Sequence, residues 1–247
     1  MAIAAFHLTT DGNETDQTSY TTASISPTAN RLVILTVRNA FSTGPNTPTV
    51  SGAGMTWTQI TTAVDAGNIR RVTMFRALAA SPGSGALTID LAGQSQINCN
   101  WSISEFSGIV TTGTNGADAV VQSNTNTANA TNTGLTVTLS AFGSTNNASH
   151  GVCIKNASNV PVAGSGFTEL ASYTTVNKVE SEWQINDNTV DWTWASESNI
   201  SQGVAIEMQA LSQSLVKKVG GIAVGSISKI SGVSLASIKK LAGVTSS

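Results

Sequence analysis

Short segments in which apolar and polar residues alternate recur along the chain, each closed off by Gly, Pro, Asn or Ser. Met55-Thr-Trp-Thr-Gln-Ile60 and Val72-Thr-Met-Phe-Arg-Ala-Leu78 are two of them, and Ile97 to Phe106, with Ile97, Cys99, Trp101 and Ile103 on one side, is a third. A period of two sends successive side chains to opposite faces, so these segments suit half-buried strands and not helices. Arg31-Leu-Val-Ile-Leu-Thr-Val-Arg38 is instead apolar at consecutive positions and rich in β-branched residues. It reads as a central buried strand.

Composition agrees. Of 247 residues, 33 are Thr, 31 Ser and 20 Asn, while only 26 are charged. Thr favours strands, and Ser, Asn and Gly favour turns. A hydrophobic content of 40% with a net charge of −2 suffices to bury a core, which excludes a disordered chain. The expected fold class is all-β, a jelly-roll-like antiparallel β-sandwich over residues 1–212.

An internal echo runs through this body. Gly54-Met-Thr-Trp-Thr-Gln59, Thr73-Met-Phe75, Ala86-Leu-Thr-Ile-Asp-Leu91 and Ile103-Ser-Glu-Phe106 are followed, in the same order, by Gly166-Phe-Thr-Glu-Leu170, Ser181-Glu-Trp183, Thr189-Val-Asp-Trp-Thr-Trp194 and Ala205-Ile-Glu-Met208. The blocks span about 31–108 and 150–211, each opening on an apolar strand. The pattern fits two sheets of one sandwich or two stacked β-domains; the single sandwich is the expectation. Residues 109–133, dense in Thr and Asn, read as a polar connector with one short strand near 119–122.

Charge breaks at residue 212. Residues 1–212 carry 7 basic and 14 acidic groups; residues 213–247 carry five Lys and no acid. The acidic body argues against nucleic acid as a partner. The tail repeats every 11 residues, from Val216, Ile227 and Ile238. The third position is always Lys (Lys218, Lys229, Lys240) and the sixth always Gly (Gly221, Gly232, Gly243). The first, fourth and seventh positions are aliphatic throughout, as in Val219, Ile222, Ile230, Val233 and Leu241. Gly and β-branched residues at this density oppose a helix, so short strands cornered at the Gly are expected. Ile222 with Val224, and Val233 with Leu235, would then share a side. A ribbon this thin cannot bury its own aliphatic side. Val216, Lys218, Val219, Ile222, Ile227, Lys229, Ile230, Val233, Leu235, Ile238, Lys240 and Leu241 are therefore the candidate docking or oligomerisation residues. A basic membrane-docking helix is the rival reading.

Catalytic signatures are sparse. His7 and His150 are read as partly exposed strand or loop residues, and Cys99 and Cys153 as small core residues. The spacing of Cys and His matches no metal motif, and Asp11, Glu14 and Asp16 read as a solvated loop, so no cofactor is expected. Glu180, Glu182, Asp187 and Asp191 are the nearest approach to paired glycosidase carboxylates, but Glu180 and Glu182 read as the solvent face of a strand. The chain is read as no enzyme. Trp57, Trp192 and Trp194 are candidate glycan-stacking rings if exposed, though core is the preferred reading. Met1 to His7 has no basic region or long apolar run, and no apolar stretch reaches the roughly eighteen residues of a membrane span, so neither export signal nor anchor is expected.

Ser26-Pro-Thr-Ala-Asn-Arg-Leu32, Met55-Thr-Trp-Thr58, Phe75-Arg-Ala-Leu-Ala-Ala-Ser-Pro82, Trp101-Ser-Ile-Ser-Glu-Phe-Ser-Gly108 and Gly164-Ser-Gly-Phe-Thr-Glu169 together resemble a group of β-sandwich proteins of tailed bacteriophages. The tail repeats resemble those appended to virion proteins. The resemblance implies a virion structural component, such as a capsid decoration protein, a head or tail fibre, or a host-recognition module. Its partners would be other capsid or tail proteins and copies of itself, with a trimer the expected oligomer, assembled in the host cytoplasm; a host glycan is the alternative ligand. No catalytic residue carries over.

Overall fold

Leu32–Ala40 is buried at all nine positions. A strand buried along its whole length needs cover on both faces, and the architecture supplies it. The computed structural model describes residues 2–211 except 157, 176 and 199, and four short strands within 212–247. The chain divides into two compact parts, a body, Met1–Leu211, and a tail, Ser212–Ser247.

The body is all-β and contains two modules. The first comprises β1 (Ala4–Asn13), β2 (Ser19–Thr21), β3 (Leu32–Ala40), β4 (Thr49–Gly52), β5 (Thr58–Val64), β6 (Arg70–Leu78), β7 (Leu87–Asp90) and β8 (Asn98–Ser107). The second comprises β9 (Val120–Ala128), β10 (Thr131–Thr138), β11 (Ala148–Asn156), β12 (Val162–Ala163), β13 (Thr168–Tyr173), β14 (Lys178–Ile185), β15 (Thr189–Ser198) and β16 (Ile200–Met208). The first forms a five-stranded sheet, β1-β8-β3-β6-β5, and a three-stranded sheet, β2-β7-β4. The second forms β9-β16-β11-β14-β13 and β10-β15-β12, the same two orders with eight added to every strand number. All of these ladders are antiparallel.

The two five-stranded sheets pack on each other. β1 lies by β13 and β5 by β9; β8 lies by β14 and β6 by β16. Each pair maps onto another when the modules are exchanged, which is the signature of an internal two-fold axis passing between β3 and β11. The central core between these sheets holds Leu32, Ile34, Val72, Met74 and Phe106 from the first module, and Val152, Ile154, Val179, Val204 and Ile206 from the second. Each three-stranded sheet covers the outer face of its own five-stranded sheet. One outer core holds Val33, Leu35, Val37, Phe75, Leu87, Ile89 and Trp101. The other holds Leu135, Val137, Val190, Trp192 and Trp194. The expected sandwich is therefore present at the centre, one sheet from each half, but it has four layers rather than two. Cys99 and Cys153 are free and lie in opposite outer cores.

The repeat is longer than the sequence shows. It starts at β1 and β9, whose residues have little in common. Residues expected to be a connector thus form β9 and the start of β10. Alternation there is of amides rather than apolar groups. Asn124 donates its amide to the Thr138 carbonyl (2.8 Å) and accepts the Thr125 N–H (2.9 Å). Asn126 does the same with Thr136 and Thr127, both at 2.8 Å. Gln122 and Ser140 exchange two hydrogen bonds. The side chains tie β9 to the neighbouring sheet and occupy backbone donors on its free edge, which guards against edge-to-edge pairing. The true link is short and tied down: Ile109 bridges Ala210, and a 3-10 turn, Ala117–Ala119, follows Gly116. Gly116 has φ 71°, and a Cβ there would stand 3.1–3.2 Å from Leu78 and Leu32.

In the tail, β17 (Lys218–Val219) pairs with β18 (Ile222–Ala223), and β19 (Lys229–Ile230) pairs with β20 (Val233–Ser234). The two pairs fall at the same positions of successive repeats, and they are strands, as expected. Val216, Val224, Ile227, Leu235, Ile238, Lys240 and Leu241 lie outside the described residues.

Replacing Asn124 and Asn126 together by Ala removes four hydrogen bonds. Chemical denaturation should show a loss of about 1–3 kcal/mol, with faster aggregation from the opened edge. Unchanged stability would show that the ladder is decorative.

Candidate functional site

The two modules share a backbone plan, so their interiors can be compared position by position. Leu32 pairs with Leu78 and Phe106; Ala148 pairs with Ile185 and Met208. In this register the row Phe75–Leu35–Ile103 of the first module corresponds to Glu182–Gly151–Ala205 of the second. The row Thr73–Val37–Trp101 corresponds to Glu180–Cys153–Gly203. The sequence echo that sets Thr73 against Ser181 is thus one residue out, and a slip of one flips every side chain to the other face.

Glu180 and Glu182 are 0% exposed, not solvent-facing as expected. They point into the outer core of the second module, because β10-β15-β12 covers the face that a two-layer sandwich would leave open. Space for them and for the tryptophans comes from glycine. A Cβ on Gly151 would come within 2.8 Å of Trp192, and one on Gly203 within 3.0 Å. The bulk that Leu35 and Trp101 supply from the large sheet in the first module comes here from Trp192 and Trp194 on the small sheet. Trp192 is 1% and Trp194 7% exposed, so neither offers an open stacking face. Trp57 is half-buried, with its N–H toward the Gly52 carbonyl (3.4 Å).

Neither carboxyl oxygen of Glu180 has a hydrogen-bond partner among the described residues, nor does Oε1 of Glu182. Oε2 of Glu182 accepts the Gly164 N–H at 2.8 Å. Burial pushes the Glu180 carboxyl up to about 10, reinforced by Glu182 and Glu169 and opposed by the nearby Trp192 indole N–H, which lies outside hydrogen-bond geometry. Burial pushes Glu182 up to about 8 against the pull of the Gly164 N–H, with Asp191 and Asp187 adding to the rise. Both are neutral acids at neutral pH, because ionising a buried carboxyl without a partner is costly. Asp191 is raised too, by burial and then by Asp187. Its Oδ1 would be 2.7 Å from a Cβ on Gly164, which places it beside Glu182. Glu169 stands opposite Glu182 on β13 and is exposed. The four sequence-flagged acids therefore do gather, together with Glu169, at one end of the second module. No group of His, Cys, Asp and Glu among the described residues is arranged to hold a metal ion.

Comparison with family models, with curated proteins and with solved structures finds no match to this chain. The site is thus read from its own chemistry.

His150, expected near the surface, is 1% exposed in the central core. Its ring tilts against Phe106 at 4.9 Å and its Nδ1 meets the Glu182 carbonyl at 2.8 Å. Burial pushes it down to about 4, so it is uncharged at neutral pH. His7 is exposed on β1, at a register shift. Glu14 and Asp16 are exposed, as a solvated loop would have them.

The proton bookkeeping has a sign. Folding raises both glutamates above their unfolded value of about 4.3, so the folded state holds more protons. This contribution is full below that value and is lost as pH rises through about 8 for Glu182 and about 10 for Glu180. Thermal melts should show Tm falling from pH 7 to pH 9, above the range in which the buried His150 contributes the opposite slope. In the Glu180→Gln, Glu182→Gln double variant most of that slope should vanish, with a gain on the order of 2 kcal/mol at pH 9. A wild-type Tm flat across this range would contradict the assignment.

Proposed function

We propose that this chain is a non-enzymatic structural protein of a bacteriophage particle, a capsid decoration or fibre component, whose body is displayed and whose tail attaches it. The observation that carries the reading is the division of the chain into a closed double-module body and a separate basic tail. The tail's described strands pair within their own repeats. Each repeat offers aliphatic positions with a fixed Lys, a pattern suited to adding shallow, repeated contacts along a partner.

Other features support it. The body spends its strands on three cores rather than on an open cleft. Its acids of most perturbed acidity lie beneath β15 and are not placed to meet a polymer. Burying one exposed Ile or Val gives about 1.5–3 kcal/mol, so three repeats supply strong attachment even after ordering costs. Among the described residues no helix is long and apolar enough to cross a membrane. Host-glycan recognition rests on Trp57 alone once Trp192 and Trp194 are in the core, so attachment is the better reading.

Deleting residues 212–247 should leave a folded β-rich body whose melting temperature moves by less than about 3 °C. The same deletion should abolish joining of the particle or oligomer, measured by sedimentation. A truncated chain that still assembles would overturn this function.

A further inference from the structure

The acidity of the body is unevenly shared. Residues 1–117 carry five basic and six acidic groups, a net −1; residues 118–211 carry two basic and eight acidic groups, a net −6. The ion pairs recorded among the described residues, Arg31–Glu105 and Arg70–Asp65, both fall in the first module. In the second, Lys178 donates to the carbonyls of Thr174 and Thr175.

This negative charge has a place. Asp191 on β15 lies beside Gly164, whose N–H Glu182 accepts; Asp187 in the β14–β15 turn acts on Glu182, and Glu169 on β13 stands opposite it in the ladder. Glu169 is exposed, and Asp187 and Asp191 are half-exposed. Glu182, wholly buried, is aimed into this cluster and keeps one oxygen without a partner. The first module has Phe75 at the corresponding position, so the fold does not require an acid there.

We propose that this acidic end of the second module is the receiving surface for the lysine-bearing tail repeats of a second copy of the chain. The inference rests on the attachment reading above and names the partner surface. Five Lys without an acid in 213–247 complement a module whose formal charge is −6, and −4 with Glu180 and Glu182 neutral. The 11-residue spacing repeats a lysine at 218, 229 and 240, and Lys218 and Lys229 each begin a strand pair. A single exposed ion pair contributes little, and three or more desolvated together contribute usefully.

Sedimentation velocity of the full-length chain tests this across concentration and salt. Self-association is expected, weakening at least about tenfold between about 50 and about 500 mM salt. The Glu169→Gln, Asp187→Asn, Asp191→Asn variant should weaken it at least about tenfold with its circular dichroism melt retained. Lys218→Gln, Lys229→Gln, Lys240→Gln, which leaves the body untouched, should do the same. Combining Glu169→Lys and Asp187→Lys in one chain with Lys218→Glu, Lys229→Glu and Lys240→Glu in another should restore association in the mixture. A chain that stays monomeric, or an association insensitive to both sets, overturns the inference. Should the tail deletion still abolish particle joining in that case, the attachment reading stands and the tail's partner is another protein.

Discussion

The packing of two five-stranded sheets across the β3–β11 axis is the constraint on which the rest of the body depends. It buries one face of each large sheet, and the small sheets bury the other. A strand buried on both faces must be apolar at consecutive positions, which is why Leu32–Val37 reads as it does. Its counterpart Ala148–Ile154 meets the same demand differently, with Ser149, Gly151 and Cys153 facing the outer core and Ala148, His150 and Val152 the centre. The internal two-fold makes each contact across the centre occur twice, so a favourable pairing such as β1 with β13 is used again as β9 with β5.

Duplication also supplies an internal control. One module closes its outer core with Leu35, Phe75 and Trp101. The other closes the same backbone plan with two glycines, two neutral glutamic acids and a pair of tryptophans from the opposite sheet. Since the apolar solution exists in the same chain, the carboxyls are an addition to the fold rather than a condition of it. Their raised acidity ties stability in the second module to rising pH, and they lie by the acidic end at which Glu169, Asp187 and Asp191 collect. The tail carries the opposite charge on a repeating frame, and the two features together give the attachment reading its chemistry.

Much of this was legible in residues alone. Alternation located most strands, the apolar run marked β3, and the repeat order matched the strand equivalences from β3 and β11 onward. Gly density and β-branching marked the tail as strand. What stayed hidden has a common cause: alternation says which residues share a face, not what covers that face. Glu180 and Glu182 were correctly set together, yet the sheet above them is built from residues 131–198, and nothing in Val179–Ile185 records it. Gly151 and Gly203 within strands were the available signal, since a strand glycine often marks a close approach. β9 was missed because its alternation is Asn against Thr, which imitates a loop until Asn124 and Asn126 are seen bonding across to β10.

Native-state hydrogen exchange tests the central claim most directly. If the two modules are held by one shared interface, the slowest amides of β3 and β11 open with the same free energy, equal to that of global unfolding. Two separate free energies, one for each module, would show that each half stands alone and that the stacked sheets are merely adjacent.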